Sequence, residues 1–327
     1  MWKSLQFLTK NLILAIPTTM ILGFICGVAG DMMWLKSFIV PFTFLMVYPM
    51  MVTLRIKDVF SGGDLRAQTV TQLVNFALIP FLAFGVGWIF FREHPYMMLG
   101  LLLAGLVPTS GMTISWTGFA KGNVAAAVKM TVIGLTLGSL LTPIYVKVLL
   151  GATVTMDMAG VFTQIGLIVF LPMALGYATQ RYLVSRYGQK GFAERFAPRF
   201  PGLSTLGVLG IVFIALALQA KTVMASPHIL LQILIPLILI YSVNYVISTV
   251  VARILLPRGD AIAMVYGTVM RNLSIALAVA INAFGALGAE AALVVAMAYI
   301  IQVQSAAWYV KLTDRLFGPT TGASQPV

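Results

Sequence analysis

Charge is what this sequence has least of. Only 9% of its 327 residues are Asp, Glu, Lys or Arg, against about 25% in soluble domains, while 60% are hydrophobic and the mean hydropathy is +0.98. A water-soluble domain is excluded, because almost every stretch of about 20 residues between charge clusters reads as a membrane-spanning helix. Carboxylates are scarcer still. All nine (Asp31, Asp58, Asp64, Glu93, Asp157, Glu194, Asp260, Glu290 and Asp314) fall at or near the ends of apolar runs, leaving none in the membrane interior. The single cysteine, Cys26, permits neither a disulfide framework nor a thiolate metal site within one chain. Both histidines, His94 and His228, lie at the ends of apolar runs, so an intramembrane hydrolase would lack a histidine base near the midplane. A Ser110/Lys129 pair has no sequence argument for proximity. No G-x-x-x-x-G-K-[ST] loop occurs, which excludes ATP-driven pumping by this chain. These absences predict no enzyme activity, no cofactor and no metal.

What remains is an all-α polytopic membrane protein, read as one membrane domain. Apolar runs at about 11–30, 37–55, 68–91, 96–120, 123–149, 160–182, 202–220, 228–252, 260–285 and 287–310 predict ten transmembrane helices. The first run exceeds the ~7–15 residues of a cleavable signal core and is read as a retained span. Fifteen basic residues on the side of the termini against four on the other place both termini in the cytoplasm of a cell with this protein in its inner, or plasma, membrane. The net charge of +12 is therefore topological and calls for no nucleic acid. Partners are the lipid bilayer and a small solute, and a homodimer is left open.

LAIPTTMILG at 14–23 resembles VFLPMALG at 169–176, and LVNFAL at 73–78 resembles SVNYVI at 242–247. Five spans thus repeat, and an odd number inverts the second copy, as in many secondary transporters. Repeat one covers about 11–149 and repeat two about 160–310 apart from a basic cytoplasmic connector at about 183–201. The eighteen methionines, YPMM at 48–51 included, read as packing residues.

Two spans carry interruptions. GLVPTSGMT in span 4 sets Pro108 and Gly111 around Thr109 and Ser110, and VYGTVMRNLS in span 9 holds Gly267, Thr268, Arg271 and Asn272. Paired interruptions point to a substrate site. An arginine near the bilayer centre costs at least ~2.5–3.5 kcal/mol and cannot shed its proton. Two readings of Arg271 stay open: it binds carbonyls of the other broken helix, or it faces an anionic substrate between half-helix N-termini. Lys129, about six residues inside span 5, either reaches the surface or joins the site. Asn75 and Asn244 read as inter-helix amides, with substrate contact as the lesser role.

FLMVYPMMVTLRIKDVF, TQLVNFALIP, YMMLGLLLAGLVPTSGMTISWTGFAKGN and VMRNLSIALAVAINAFG together resemble the arsenical-resistance permease family, within the larger superfamily of bile acid:sodium symporters. The resemblance implies ten spans, a panel and a core, and two discontinuous helices, spans 4 and 9, crossing in the core. Departures accompany it. Arsenite permeases look to carry a cysteine where this chain has Thr109, and a glutamate where it has Ser274. Against sodium-coupled relatives, Thr113 and Thr131 match hydroxyl ligands, while Ile114, Gly267 and Arg271 replace an asparagine, a glutamate and a glutamine. Both sodium sites implied by that alignment are dismantled. The expectation is a secondary transporter of a small anion or oxyanion-like solute, not coupled to sodium, with transport residues Arg271, Asn272, Thr109, Ser110, Thr113, Lys129, Asn75 and Asn244. An arsenite or antimonite efflux permease is the alternative, and an anion-conducting channel is the alternative of another class.

Overall fold

A computed structural model describes residues 11–53, 64–152, 158–225, 227–285 and 287–319, together with Leu5, Phe7, Leu8, Thr9 and Val154. Several charges that entered the topology argument, among them Lys3, Lys10, Arg55 and Lys57, lie outside the described residues. The described chain is helical throughout. Its single extended pairing is an isolated antiparallel bridge between Pro108 and Arg271. In hydrocarbon every backbone N–H and C=O must be satisfied within the protein, which a helix does along its own axis.

The order is α1 (Leu12–Ala29), a 3-10 turn (Met33–Phe38) leading into α2 (Ile39–Val52), α3 (Leu65–Leu73), α4 (Ile79–Phe90), α5 (Pro95–Leu106), α6 (Gly111–Phe119) and α7 (Val124–Leu150). Then come α8 (Met158–Ile165), α9 (Leu171–Gly191), α10 (Phe200–Ala225), α11 (His228–Leu255), α12 (Arg258–Val269), α13 (Leu273–Phe284) and α14 (Gly288–Phe317). Among the described residues, six helical stretches are long and apolar enough to cross a membrane: Met33–Val52, Leu65–Phe90, Val124–Leu150, Leu171–Ala225, His228–Leu255 and Gly288–Phe317. Leu14–Ala29, Pro95–Leu106 and Leu273–Phe284 are shorter apolar helices.

Some boundaries differ from the sequence reading for local reasons. The run at 37–55 begins its α-helix only at Ile39, after the 3-10 turn. The segment at 183–201, read as a connector, is helical in its first part: α9 continues to Gly191 across a kink where Gly188 takes φ 71°. Wide π turns at Val74–Leu78 and Gly166–Phe170 join α3 to α4 and α8 to α9. Each lies just ahead of a proline, Pro80 and Pro172, whose ring crowds the carbonyl one turn back and removes a donor.

Two groups of helices result. In one, α10 packs on α1 and α2, and α2 on α9. The α1–α10 approach is backbone to backbone: a Cβ on Gly27 would stand 2.2 Å from the Ala217 carbonyl oxygen. In the other group α14 packs on α5 and α13, α11 on α12 and α4, and α12 on α3, α6 and α7. Contacts of α13 with α2 and α8, and of α14 with α10 and α1, join the groups. The most buried elements are α5, α12 and α13, so the interruptions of the chain lie inside its best-packed region.

Candidate functional site

The break between α5 and α6 spans Val107–Ser110, and the break between α12 and α13 spans Met270–Asn272. They meet. The Asn272 N–H donates to the Val107 carbonyl at 2.8 Å, beside the Pro108–Arg271 bridge. Each break thus supplies part of the backbone pairing that the other has lost.

Both distal half-helices begin at this junction, and each is capped by a side chain the sequence singled out. The Ser110 hydroxyl accepts from the Met112 N–H (3.2 Å), while the Thr113 hydroxyl accepts from the Ser110 N–H (3.1 Å), forming a capping box. Asn272 Oδ1 accepts from the Ile275 N–H at 3.2 Å. Two helix N-termini therefore bring their partial positive charge to one place. Thr113 also donates towards the Tyr266 carbonyl (3.4 Å). Thr109 sits at φ 65°, a region costly for a β-branched residue, and its hydroxyl donates to the Thr131 carbonyl at 3.2 Å. Space for this break is left by α7: a Cβ on Gly138 would lie 2.7 Å from Pro108 Cδ, and one on Gly134 would lie 2.9 Å from Thr109 Oγ1.

Asn75 and Asn244 secure the other half of the crossing. Their Nδ2 groups donate to consecutive carbonyls of α12, Asn75 to Gly267 and Asn244 to Thr268, each at 3.0 Å. Behind Asn244, the Thr268 hydroxyl donates to Ser248 Oγ (2.6 Å), which donates to Asn244 Oδ1 (2.9 Å). A residue missed in the sequence is Gln302 of α14. Its Oε1 accepts from the Arg271 N–H (2.8 Å) and its Nε2 donates to the Arg271 carbonyl (3.1 Å), while the Tyr241 hydroxyl donates to the same Oε1 (2.9 Å). The available signal was an amide inside the apolar run YIIQVQSAAW.

Arg271 is held by its backbone and not by its charge. The residue is 3% exposed, and among the described residues neither Nη1 nor Nη2 has a hydrogen-bond partner. Beside it is a crevice of about 10 Å³ lined by Tyr241, Asn244, Gly105 and Ala104, room for about one water.

Lys129 has a different setting. Its Nζ lies 3.2 Å from Asp64 Oδ2, with side-chain exposures of 5% and 19%. Asn123 Nδ2 reaches both Asp64 (3.3 Å) and Asp260 (2.7 Å), tying together the first turns of α3, α7 and α12. So the structure gathers Thr109, Ser110, Thr113, Asn75, Asn244, Arg271 and Asn272 about the crossing, and joins Lys129 to a carboxylate at its edge.

An all-helical membrane protein whose two interrupted helices meet break to break beside a buried cation is the class so defined. The profile of the Sodium Bile acid symporter family matches residues 40–226, more than half of the chain, and the protein belongs to that family. It is similar to the Arsenical-resistance protein Acr3 of Alkaliphilus metalliredigens, 26% identical over 289 residues, covering 83% of this chain and 79% of that one. The Arsenical-resistance protein Acr3 of Corynebacterium glutamicum is 22% identical over 258 residues, 75% of this chain and 70% of that one. An uncharacterized sodium-dependent transporter of Bacillus subtilis, YocS, is 23% identical over 253 residues, 76% of this chain and 75% of that one.

Proposed function

We propose that the protein is a secondary-active transporter of a small anion or oxyanion-like solute, working without sodium, with the crossing of α5/α6 and α12/α13 as its substrate site. The observation that carries this reading is the Arg271 guanidinium, buried and with both terminal nitrogens unpartnered among the described residues, on the break from which α13 starts. An anion there gains charge-assisted bonds and removes the cost of an isolated charge. Thr109, Ser110, Thr113 and Asn272 form the breaks and cap the half-helices, Asn75 and Asn244 hold α12 at the crossing, with Asn244 also lining the crevice beside Arg271, and Lys129 biases the approach.

In this reading the chain crosses the plasma membrane ten times as two inverted repeats of five, with both termini cytoplasmic. The kink at Gly188 divides the 55-residue stretch Leu171–Ala225 into two crossings, and the shorter apolar helices supply the rest. The paired asparagines Asn75 and Asn244, each on a long helix and each donating to α12, are consistent with two related halves. A fixed cation at 271 takes the electrostatic role of a bound sodium ion. Arsenite or antimonite is one member of the solute class, favoured by the names of the two arsenical-resistance relatives; the lack of a thiol at Thr109 weighs against strong arsenite handling.

The test is a thermal-shift screen of the purified chain with small organic acids, phosphate-like anions, arsenite and antimonite. One class should stabilise the unaltered protein. In Arg271→Gln that stabilisation should vanish, with affinity falling well beyond tenfold, about 1.4 kcal/mol. A folded Arg271→Gln protein with unaltered affinity would move this residue from the site to the scaffold.

A further inference from the structure

The C-terminal end of α2 touches both sides of the segment that links α9 to α10. Gln180 Nε2 donates to the Val52 carbonyl (2.8 Å), and Ser204 Oγ donates to the Met46 carbonyl (2.6 Å). The backbones approach as closely: a Cβ on Gly176 would lie 2.8 Å from the Met51 carbonyl carbon, and one on Gly207 would lie 2.4 Å from the Met46 nitrogen. The chain therefore leaves and returns at one end of α2, and residues 181–203 form a hairpin beyond it. Its outward leg, Arg181–Tyr187, is about 10 Å of helix at 1.5 Å per residue before Gly188, at φ 71° and ψ 166°, breaks the helix. A headgroup layer is about 5–7 Å deep and the screening length at physiological salt about 8 Å, so the whole hairpin stays within electrostatic reach of a leaflet at its base.

Five of the chain's 21 Lys and Arg residues stand here, Arg181, Arg186, Lys190, Arg195 and Arg199, against one acid, Glu194. All five are exposed. Among the described residues, Arg181, Arg186, Lys190 and Arg195 have no acidic partner. Membrane topology accounts for basic residues on this side of the chain, but not for their gathering on a folded scaffold. Phe192 is buried, the Tyr187 ring packs on Phe196 with centroids 4.9 Å apart, and the Arg199 guanidinium lies over the Phe196 ring at 6.0 Å. This aromatic clasp closes across the Gly188 break and orders the segment before any partner arrives, which lowers the entropy lost on binding. Tyr182 and Tyr187 are exposed on the same segment, and tyrosine is favoured at headgroup level.

We propose that this hairpin is a docking surface for anionic phospholipid headgroups of the cytoplasmic leaflet, of the phosphatidylglycerol kind. Guanidinium groups match the oxygens of a phosphodiester, and five cations against one carboxylate, a net +4, select a headgroup of net negative charge over a zwitterionic one whose own ammonium offsets its phosphate. The leaflet is the partner already within reach, whereas a soluble polyanion must compete with it for the same cations. The proposal rests on the ten-span part of the proposed function, which puts residues 181–203 at the cytoplasmic surface, and is independent of the substrate site. Both legs of the hairpin belong to the helix group away from the crossing, so bound headgroups tie that group to the leaflet.

The test uses the full-length chain in a neutral detergent, with phosphatidylglycerol and phosphatidylcholine of identical acyl chains in competition and bound lipid read by native mass spectrometry. A base near an anionic surface contributes roughly fivefold, so the unaltered chain should retain phosphatidylglycerol at least about tenfold over phosphatidylcholine. Arg186→Gln, Lys190→Gln and Arg195→Gln combined should bring that preference below about threefold, while Arg186→Lys with Arg195→Lys, which keeps every charge, should hold it above about fivefold. Equal retention of the two lipids by the unaltered chain overturns the proposal without any variant. So does an unchanged preference in the triple glutamine variant, or a lysine variant that falls as far as the glutamine one. Nucleic acid that copurifies with the unaltered chain and is lost from the glutamine variant, with lipid retention equal, would assign the cations to a soluble polyanion and overturn it as well. The topology has its own readout: Ser185→Cys in a Cys26→Ser chain should react with an impermeant maleimide in inverted vesicles and not in intact cells. Labelling only in intact cells refutes the topology and the proposal together; labelling as expected with no lipid preference refutes the proposal alone.

Discussion

Arg271 has its main-chain N–H and C=O both bonded to Gln302, while among the described residues neither Nη1 nor Nη2 has a partner. That combination predicts an unusual mutational sign. Since Nη1 and Nη2 have no partners to lose among the described residues, Arg271→Gln should leave the melting temperature of the ligand-free protein unchanged or raise it, relieving part of the ~2.5–3.5 kcal/mol that insertion scales assign to a mid-membrane arginine. Gln302→Leu should do the opposite. Removing an amide that pairs with both the N–H and C=O of Arg271 leaves buried backbone groups unsatisfied, at about 1–3 kcal/mol each, and should lower stability in a thermal melt. At position 109, any protection of cells against arsenite should be weak in the unaltered chain and should increase in Thr109→Cys. Strong protection that survives Cys26→Ser would show that no thiol is needed. Arg271, Thr109 and Asn272 were legible in the sequence because polar groups in an apolar run are conspicuous. Gln302 was equally conspicuous, but its role depends on α14 lying behind the break, a contact across 31 residues that no spacing rule encodes.

The same contrast holds for elements. Pro108 and Gly111 announce that α5 and α6 cannot be one helix, yet the left-handed conformation falls on Thr109, between them. Its position is set by neighbours, chiefly the two glycines of α7 that leave room for Pro108 and Thr109. Gly138→Val should therefore cost about 1–3 kcal/mol through overpacking against Pro108, measured as a lower melting temperature, and should loosen substrate binding with no change to a polar group. At the first turns of α3, α7 and α12, the consequences of breaking the ion pair should be unequal. Asp64→Asn removes a carboxylate from the buried Lys129, 5% exposed, and should destabilise the protein, by up to about 3–5 kcal/mol. Lys129→Met leaves Asp64 at 19% exposure with its Asn123 bond and should cost far less. Equal effects in denaturation would mean that Lys129 is stabilised by something other than Asp64. From sequence, Lys129 had two destinations, and only the fold brings a residue 65 positions away to its ammonium.

At the scale of the molecule, α1, α2, α9 and α10 pack through glycine contacts into one group, while the crossing is enclosed by the other helices. Among the described residues no carboxylate lies at the crossing, where Gly267 and Arg271 stand, so replacing Na⁺ with K⁺ or choline should leave uptake into proteoliposomes unchanged. A steep, saturable Na⁺ dependence would refute this. Saturable exchange, as opposed to ohmic current, should distinguish the transporter from a channel. Composition and run length were enough to read a helical membrane protein, and paired interruptions were enough to locate the crossing. The division into two packed groups was not readable from residue patterns, because lipid-facing and helix-facing surfaces are equally apolar.

The junction between the two breaks is made of main chain: an N–H of residue 272, a carbonyl of residue 107 and an extended pairing of 108 with 271. Such a joint has no preferred side chains, and it asks only that both segments stay extended. Substitution can therefore turn over the residues around it while the mechanical connection persists, and an N-terminal half taken from one relative should engage a C-terminal half from another.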